Sequence, residues 1–159
     1  MAATLILRKT AATVGSVSSL GGAETATEVS ATALNNLFDD VSPAEALARD
    51  TEYRAVDLYN SGDATAVAVK VYLSANATAV SSIGLEGVDV GSPISIADEE
   101  DTAVALSGIS FSTADGLGNA VSVADIPAAG NARLWIRRVV SSSTSNKAND
   151  GITLVWQYA

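Results

Sequence analysis

The stretch Glu52-Tyr53-Arg54-Ala55-Val56-Asp57-Leu58-Tyr59-Asn60-Ser61-Gly62-Asp63-Ala64-Thr65-Ala66-Val67-Ala68-Val69-Lys70-Val71-Tyr72-Leu73-Ser74 decides how the chain is read. In its second half Val67, Val69, Val71 and Leu73 alternate with Ala66, Ala68, Lys70 and Tyr72, the period of two that marks a strand with one buried face. In its first half Val56 and Leu58 share a face, which Arg54 and Asn60 extend at the ends. Between the halves, Asn60-Ser61-Gly62-Asp63 supplies residues that tolerate positive φ or cap a turn with their side chains. The pattern predicts a β-hairpin, with β-branched residues pointing inward and turn residues confined to the gap.

Around that hairpin the composition sets limits. A chain of 159 residues suits one domain with a terminal arm. Apolar residues make up 48% of it but aromatics only 5%, so the core is built mainly of Ala and Val and gains less from each burial than one rich in Phe or Leu. A partner surface would add stability. The balance of 9 basic against 18 acidic residues gives a net charge of −9, which repels phosphate backbones and argues against nucleic acid as a partner. Cysteine and histidine are both absent, which removes disulfide frameworks, zinc fingers, Cys nucleophiles and His-based triads. The run Thr4-Leu5-Ile6-Leu7 before Arg8-Lys9 lacks the order and length of a secretory signal. No run approaches the roughly 20 apolar residues that span a bilayer. The expectation is a soluble, non-exported protein with no membrane partner.

Taken in order, Ala3 to Arg8 has the pattern of a strand, while Thr10 to Thr27 is mostly Ala, Ser, Thr and Gly, with little to bury. Residues 1–30 therefore read as an N-terminal arm and 31–159 as the folded domain. Leu34, Leu37 and Phe38 fall at helical spacing before Asp39-Asp40, predicting one helical turn under the sheet. Ser42-Pro43-Ala44-Glu45 is a capping box with proline at the first helical position, predicting a helix from Pro43 to about Arg49.

Ala75-Asn76-Ala77-Thr78 reads as a loop that spells a glycosylation acceptor, given little weight without a secretory signal. Short strands are expected over Ile83 to Val90, Ile94 to Ile96, Ile109 to Phe111, Arg133 to Val140 and Ile152 to Tyr158. In the last of these Ile152, Leu154 and Trp156 form the inner face, with Trp156 buried. Arg137 and Arg138 must point opposite ways, so one emerges at an edge or meets a carboxylate. Asp98-Glu99-Glu100-Asp101 lacks the ligand alternation and turn glycine of an EF-hand and reads as a solvated acidic loop. Asp115-Gly116-Leu117-Gly118-Asn119 is a turn, with no Gly-Lys-Ser/Thr to make it a phosphate loop.

About seven to nine short strands, with turn signals every roughly 8 to 12 residues, is the pattern of an antiparallel β-sandwich. The expected fold class is all-β, an immunoglobulin-like or jelly-roll sandwich with one or two short helices and an extended N-terminal arm.

The segments Leu34 to Val41 with Glu45-Ala46, Asp50-Thr51-Glu52-Tyr53-Arg54, and Leu134-Trp135-Ile136-Arg137-Arg138 with Ala148-Asn149-Asp150 resemble a group of mostly uncharacterised bacteriophage and prophage virion structural proteins. The resemblance covers roughly residues 30 to 155 in its spacing, and its motifs are structural, with no catalytic, cofactor-binding or metal residues to carry over. It implies a phage structural protein. Acidic charge, missing chemistry, small size and a low-complexity arm agree with a capsid cement or decoration protein on the outer shell, trimeric, assembled in the host cytoplasm, with the major capsid protein as partner. Placement in the tail, neck or baseplate is the alternative within the virion. An enzyme would need paired carboxylates such as Asp57 and Glu86 with Tyr59 nearby, but nothing in their spacing sets a catalytic separation. A glycan-binding module would stack sugars on Trp135, Tyr53, Tyr59 or Tyr72, aromatics that on strands more often serve a core or an interface.

Overall fold

A computed structural model of the chain describes residues 2–32, 35–76, 80–100, 105–141 and 151–159. The described residues form an all-β fold of two antiparallel sheets with one short α-helix. Its strands are β1 (Leu5–Thr10), β2 (Glu24–Glu28), β3 (Thr51–Asn60), β4 (Lys70–Asn76), β5 (Val80–Val88), β6 (Phe111–Ser112), β7 (Val121–Ser122), β8 (Asn131–Val139) and β9 (Ile152–Gln157), with helix α1 (Pro43–Ala48) between β2 and β3. The larger sheet runs β2-β1-β3-β8-β5-β6 and the smaller β7-β4-β9.

The expected hairpin over Glu52 to Ser74 does not form. Both of its strands exist, but β3 lies in the large sheet and β4 in the small one. The reason is edge occupancy. One edge of β3 pairs with β8, from Thr51↔Val139 to Tyr59↔Asn131, and the other with β1, from Leu5↔Asn60 to Lys9↔Val56. No edge remains for β4, so the chain leaves at Asn60 and crosses to the second sheet. Asn60 is the corner post of that crossing. Buried, it accepts from Thr4 N and Gly62 N and donates from Nδ2 to the carbonyls of Ala64 and Ile126, at 2.8 and 3.0 Å.

The same pairing overturns the reading of residues 1–30 as an arm. β1 is an interior strand of the large sheet, with Leu5 buried and Leu7 packed on the core, and β2 extends the sheet beyond it. Leu20, inside the Ala/Ser/Gly-rich stretch, is fully buried.

Alternation along the strands divides the apolar residues between the two faces of the large sheet. Val56, Leu58, Leu134, Ile136, Ile83 and Leu5 face the small sheet, where Val69, Val71 and Leu73 meet them to make the main core. Ile152, Leu154 and Trp156 line the inner face of β9 as expected, though all three are half-buried. Val67, expected on the inner face of the second strand, lies before β4 and is exposed. On the opposite face, Tyr53, Ala55 and Trp135 are covered by Leu20, Ile96 and Leu106 from the connecting segments. β3 and β8 are thus buried on both faces. Gly84 makes this second layer possible: a Cβ there would lie 2.4 Å from Ile109 Cγ2 and 3.1 Å from the Phe111 ring.

Helix α1 begins as the capping box predicts, with Glu45 N donating to Ser42 Oγ and Ser42 N to Glu45 Oε2, and it ends on Arg49 in the left-handed region. Two local expectations differ. Residues 35–38 form bends instead of a helical turn, although Leu37 and Phe38 do pack on the core, while Leu34 lies outside the described residues. Ile94 to Ile96 is not a strand; Ser95 makes an isolated bridge to Gly21. Ala77-Thr78 of the glycosylation acceptor, Asp101 of the acidic loop and Ala148-Asn149-Asp150 also lie outside the described residues.

Candidate functional site

Where β3 begins and β8 ends, the register sets Glu52 opposite Arg138 and Arg54 opposite Ile136, so Glu52, Arg54 and Arg138 project from one face. Two segments close over them. Arg54 donates from Nε to the Leu37 carbonyl at 3.2 Å and from Nη1 to its neighbour Tyr53's carbonyl at 3.1 Å, and its Nη2 pairs with Glu99. Arg138 donates from Nε to Glu52 Oε2 at 2.7 Å and from Nη1 to the Asp39 carbonyl at 2.9 Å. The Asp39 carboxylate stands 3.8 Å from Arg54 and 3.7 Å from Arg138. Both guanidiniums also lie near the Phe38 ring, at 5.1 and 4.7 Å from its centroid.

Oxygens of Asp39, Glu52 and Glu99 lie within 4.8 Å of one another. The guanidiniums of Arg54 and Arg138 stand against these oxygens. Glu52 is 2% exposed, and its Oε1 is buried without a hydrogen-bond partner among the described residues. Burial pushes its carboxyl from 4.5 up to about 7; the charge and hydrogen bond of Arg138 pull the other way, Glu99 adds to the rise and Arg54 opposes it.

The acidic loop is therefore not simply solvated, because Glu99 belongs to this cluster. Parity along β8 leads to the cluster from sequence: Arg137 and Arg138 do point opposite ways, and Arg138 meets a carboxylate. Arg137 turns to the other face, donating to Ser82 Oγ at 2.9 Å with its guanidinium 4.9 Å from the Phe111 ring. Glu52 itself carried no signal, since nothing local identifies a glutamate that opens a strand as a buried group.

The structure does not assemble the carboxylates considered for catalysis into a pair. Asp57 is fully buried and gripped by Arg133 through Nε and Nη2, at 2.7 and 2.9 Å. Glu86 accepts from Trp135 Nε1 and from Ile94 N, both at 2.8 Å. Of the aromatics considered for sugar stacking, Trp135 and Tyr53 are buried, and Tyr59 carries the Arg8 guanidinium 3.4 Å from its ring centroid. Tyr72 is half-buried on β4. A polar cavity of about 230 Å³ opens beside the cluster, lined by Lys9, Ser16, Ser18, Asn35, Asn36 and Arg54 among others.

A second feature lies at the periphery. Helix α1 is capped at both ends yet contains no buried residue; Leu47 is 85% exposed, and Val41, just before the helix, is 39% exposed. No described helix is long and apolar enough to cross a membrane.

No protein-family model, curated protein or solved structure matches the chain.

Proposed function

We propose that the chain is a structural protein of a bacteriophage virion, a capsid decoration protein that binds the outer shell through contacts with the major capsid protein. Helix α1 carries this reading. A helix of six residues is far shorter than the about 12 to 15 needed for marginal stability alone, and helices in proteins are held mainly by packing an apolar face. Here the caps are in place, but the apolar face is turned outward through Leu47. A surface built in this way gains its packing from another protein. A buried charge pair supports the same reading: Asp57 and Arg133 meet within the large sheet, which ties β3 to β8 as a scaffold for such contacts. The likeness of its motifs to virion proteins points to what that partner is.

Assembly as a trimer belongs to the same proposal. β9 ends the small sheet with an outer edge that no described strand pairs, and an edge of this kind invites another chain. With a charge of −9 per chain, like subunits repel, so added salt should strengthen self-association.

Binding to particles stripped of the protein provides the test. The intact chain should bind saturably, and Leu47→Glu should bind at least tenfold more weakly while keeping its melting temperature. Equal binding by both proteins would remove α1 from the interface, and no binding by the intact chain would overturn the proposal. A copy number of tens or fewer per particle, in place of hundreds, would move it to the tail, neck or baseplate.

A further inference from the structure

The cluster of Asp39, Glu52 and Glu99 holds three carboxylates against the guanidiniums of Arg54 and Arg138, so with every group ionised one negative charge is unmatched. Among the described residues Glu52 Oε1 is an acceptor with no donor, in a side chain only 2% exposed. An unsatisfied acceptor on a buried charge is unfavourable on both counts. One proton removes both problems. It cancels the excess charge and turns Oε1 into a donor, with oxygens of Asp39 and Glu99 a side-chain adjustment away, inside the 4.8 Å cluster.

We propose that Glu52 is a proton-operated tie between the sheet and the two segments that close over it, residues 35–40 and 96–100. Protonated, its carboxyl donates to one neighbouring carboxylate, and the loss of its charge relieves the repulsion on the other, so both segments stay down. Ionised, it sets three carboxylates against two guanidiniums, and their repulsion loosens Asp39 and Glu99. The groups around Glu52 are Arg54 from β3, Arg138 from β8, Asp39 and Glu99 from the covering segments, and from β5 the uncharged Ser81 opposite Arg138, while Lys9 of β1 lines the adjoining cavity with Asp39 and Arg54. Since Leu37, Phe38 and Asp39 also line the polar cavity, loosening would reshape its wall.

The sign follows from linkage. The unfolded carboxyl titrates near 4.5 and the folded one near 7, so the folded state binds the extra proton between these values. The contribution to stability is full below 4.5 and is lost as pH rises through about 7. This is the reverse of an ordinary salt-bridged glutamate.

The test is a ¹³C NMR titration of the Glu52 carboxyl in the full-length protein. A midpoint near 7, shared by the amides of Phe38, Asp39 and Glu99, is expected, and a midpoint near 4.5 would overturn the proposal. In a second arm, the urea midpoint of the wild type should fall from about pH 6 to about pH 8, and Glu52→Gln should flatten that slope. An unchanged slope in the variant would also overturn it. Should Glu52→Gln fail to fold, the wild-type titration decides alone. A large stabilisation by CaCl₂ at about pH 8, lost in Glu52→Gln, would show that a metal cation and not a proton fills the cluster.

Discussion

Arg133 holds Asp57 through two parallel hydrogen bonds, 2.7 and 2.9 Å, from the directly opposite position on β8, with both side chains shut away from water. On the other side of Asp57, Arg8 occupies the facing position on β1, paired with Glu24 and stacked on Tyr59. One charged row thus crosses three strands on the face that also carries Trp135. Removing one member of a buried pair leaves the other uncompensated. Asp57→Ala should therefore cost about 3 to 5 kcal/mol, read as a fall in the urea midpoint. Replacing both residues with apolar ones of similar volume should recover much of that loss. A single variant as stable as the wild type would mean that water reaches Arg133.

The first thirty residues are part of the fold. Deleting them exposes the β1 edge of β3 and removes Leu5 and Leu20 from two apolar clusters. The truncated chain should lose its cooperative melt by circular dichroism. A sharp transition at the wild-type temperature would restore the arm reading.

Gly84 lies opposite Trp135 with Ile109 and Phe111 pressed against it. Gly84→Val should cost about 1 to 3 kcal/mol by overpacking, with the change in near-ultraviolet signal expected when the layer over Trp135 is displaced. Unchanged stability and signal in the Gly84→Val variant would show that this layer yields freely.

How far the fold could be read from sequence depended on where each element's signal lay. The capping box at Ser42 and the alternation of Val69, Val71 and Leu73 are local, and both give the right element. The partner of β3 is not local. The turn residues after Asn60 suit a hairpin, but whether β4 can pair depends on β1, far earlier in the chain, taking that edge. The Ala, Ser and Gly content of residues 10–27 hid this, because Leu20 is a single apolar residue among small ones and becomes core only once the sheet lies beneath it. The Glu52 cluster was half visible: parity along β8 set Arg137 and Arg138 on opposite faces and asked one of them to emerge at an edge or meet a carboxylate, yet that Arg138 meets Glu52 follows from strand register, which the sequence does not spell out.

Cryo-electron microscopy of purified particles is the sharpest test of the proposal that this β-fold docks on the virion surface through the apolar side of α1. Density for the two-sheet body is expected on the outside of the shell, repeated with the capsid lattice, with Leu47 buried against a capsid subunit. Density confined to the tail, or a lattice position in which Leu47 faces solvent, would contradict it.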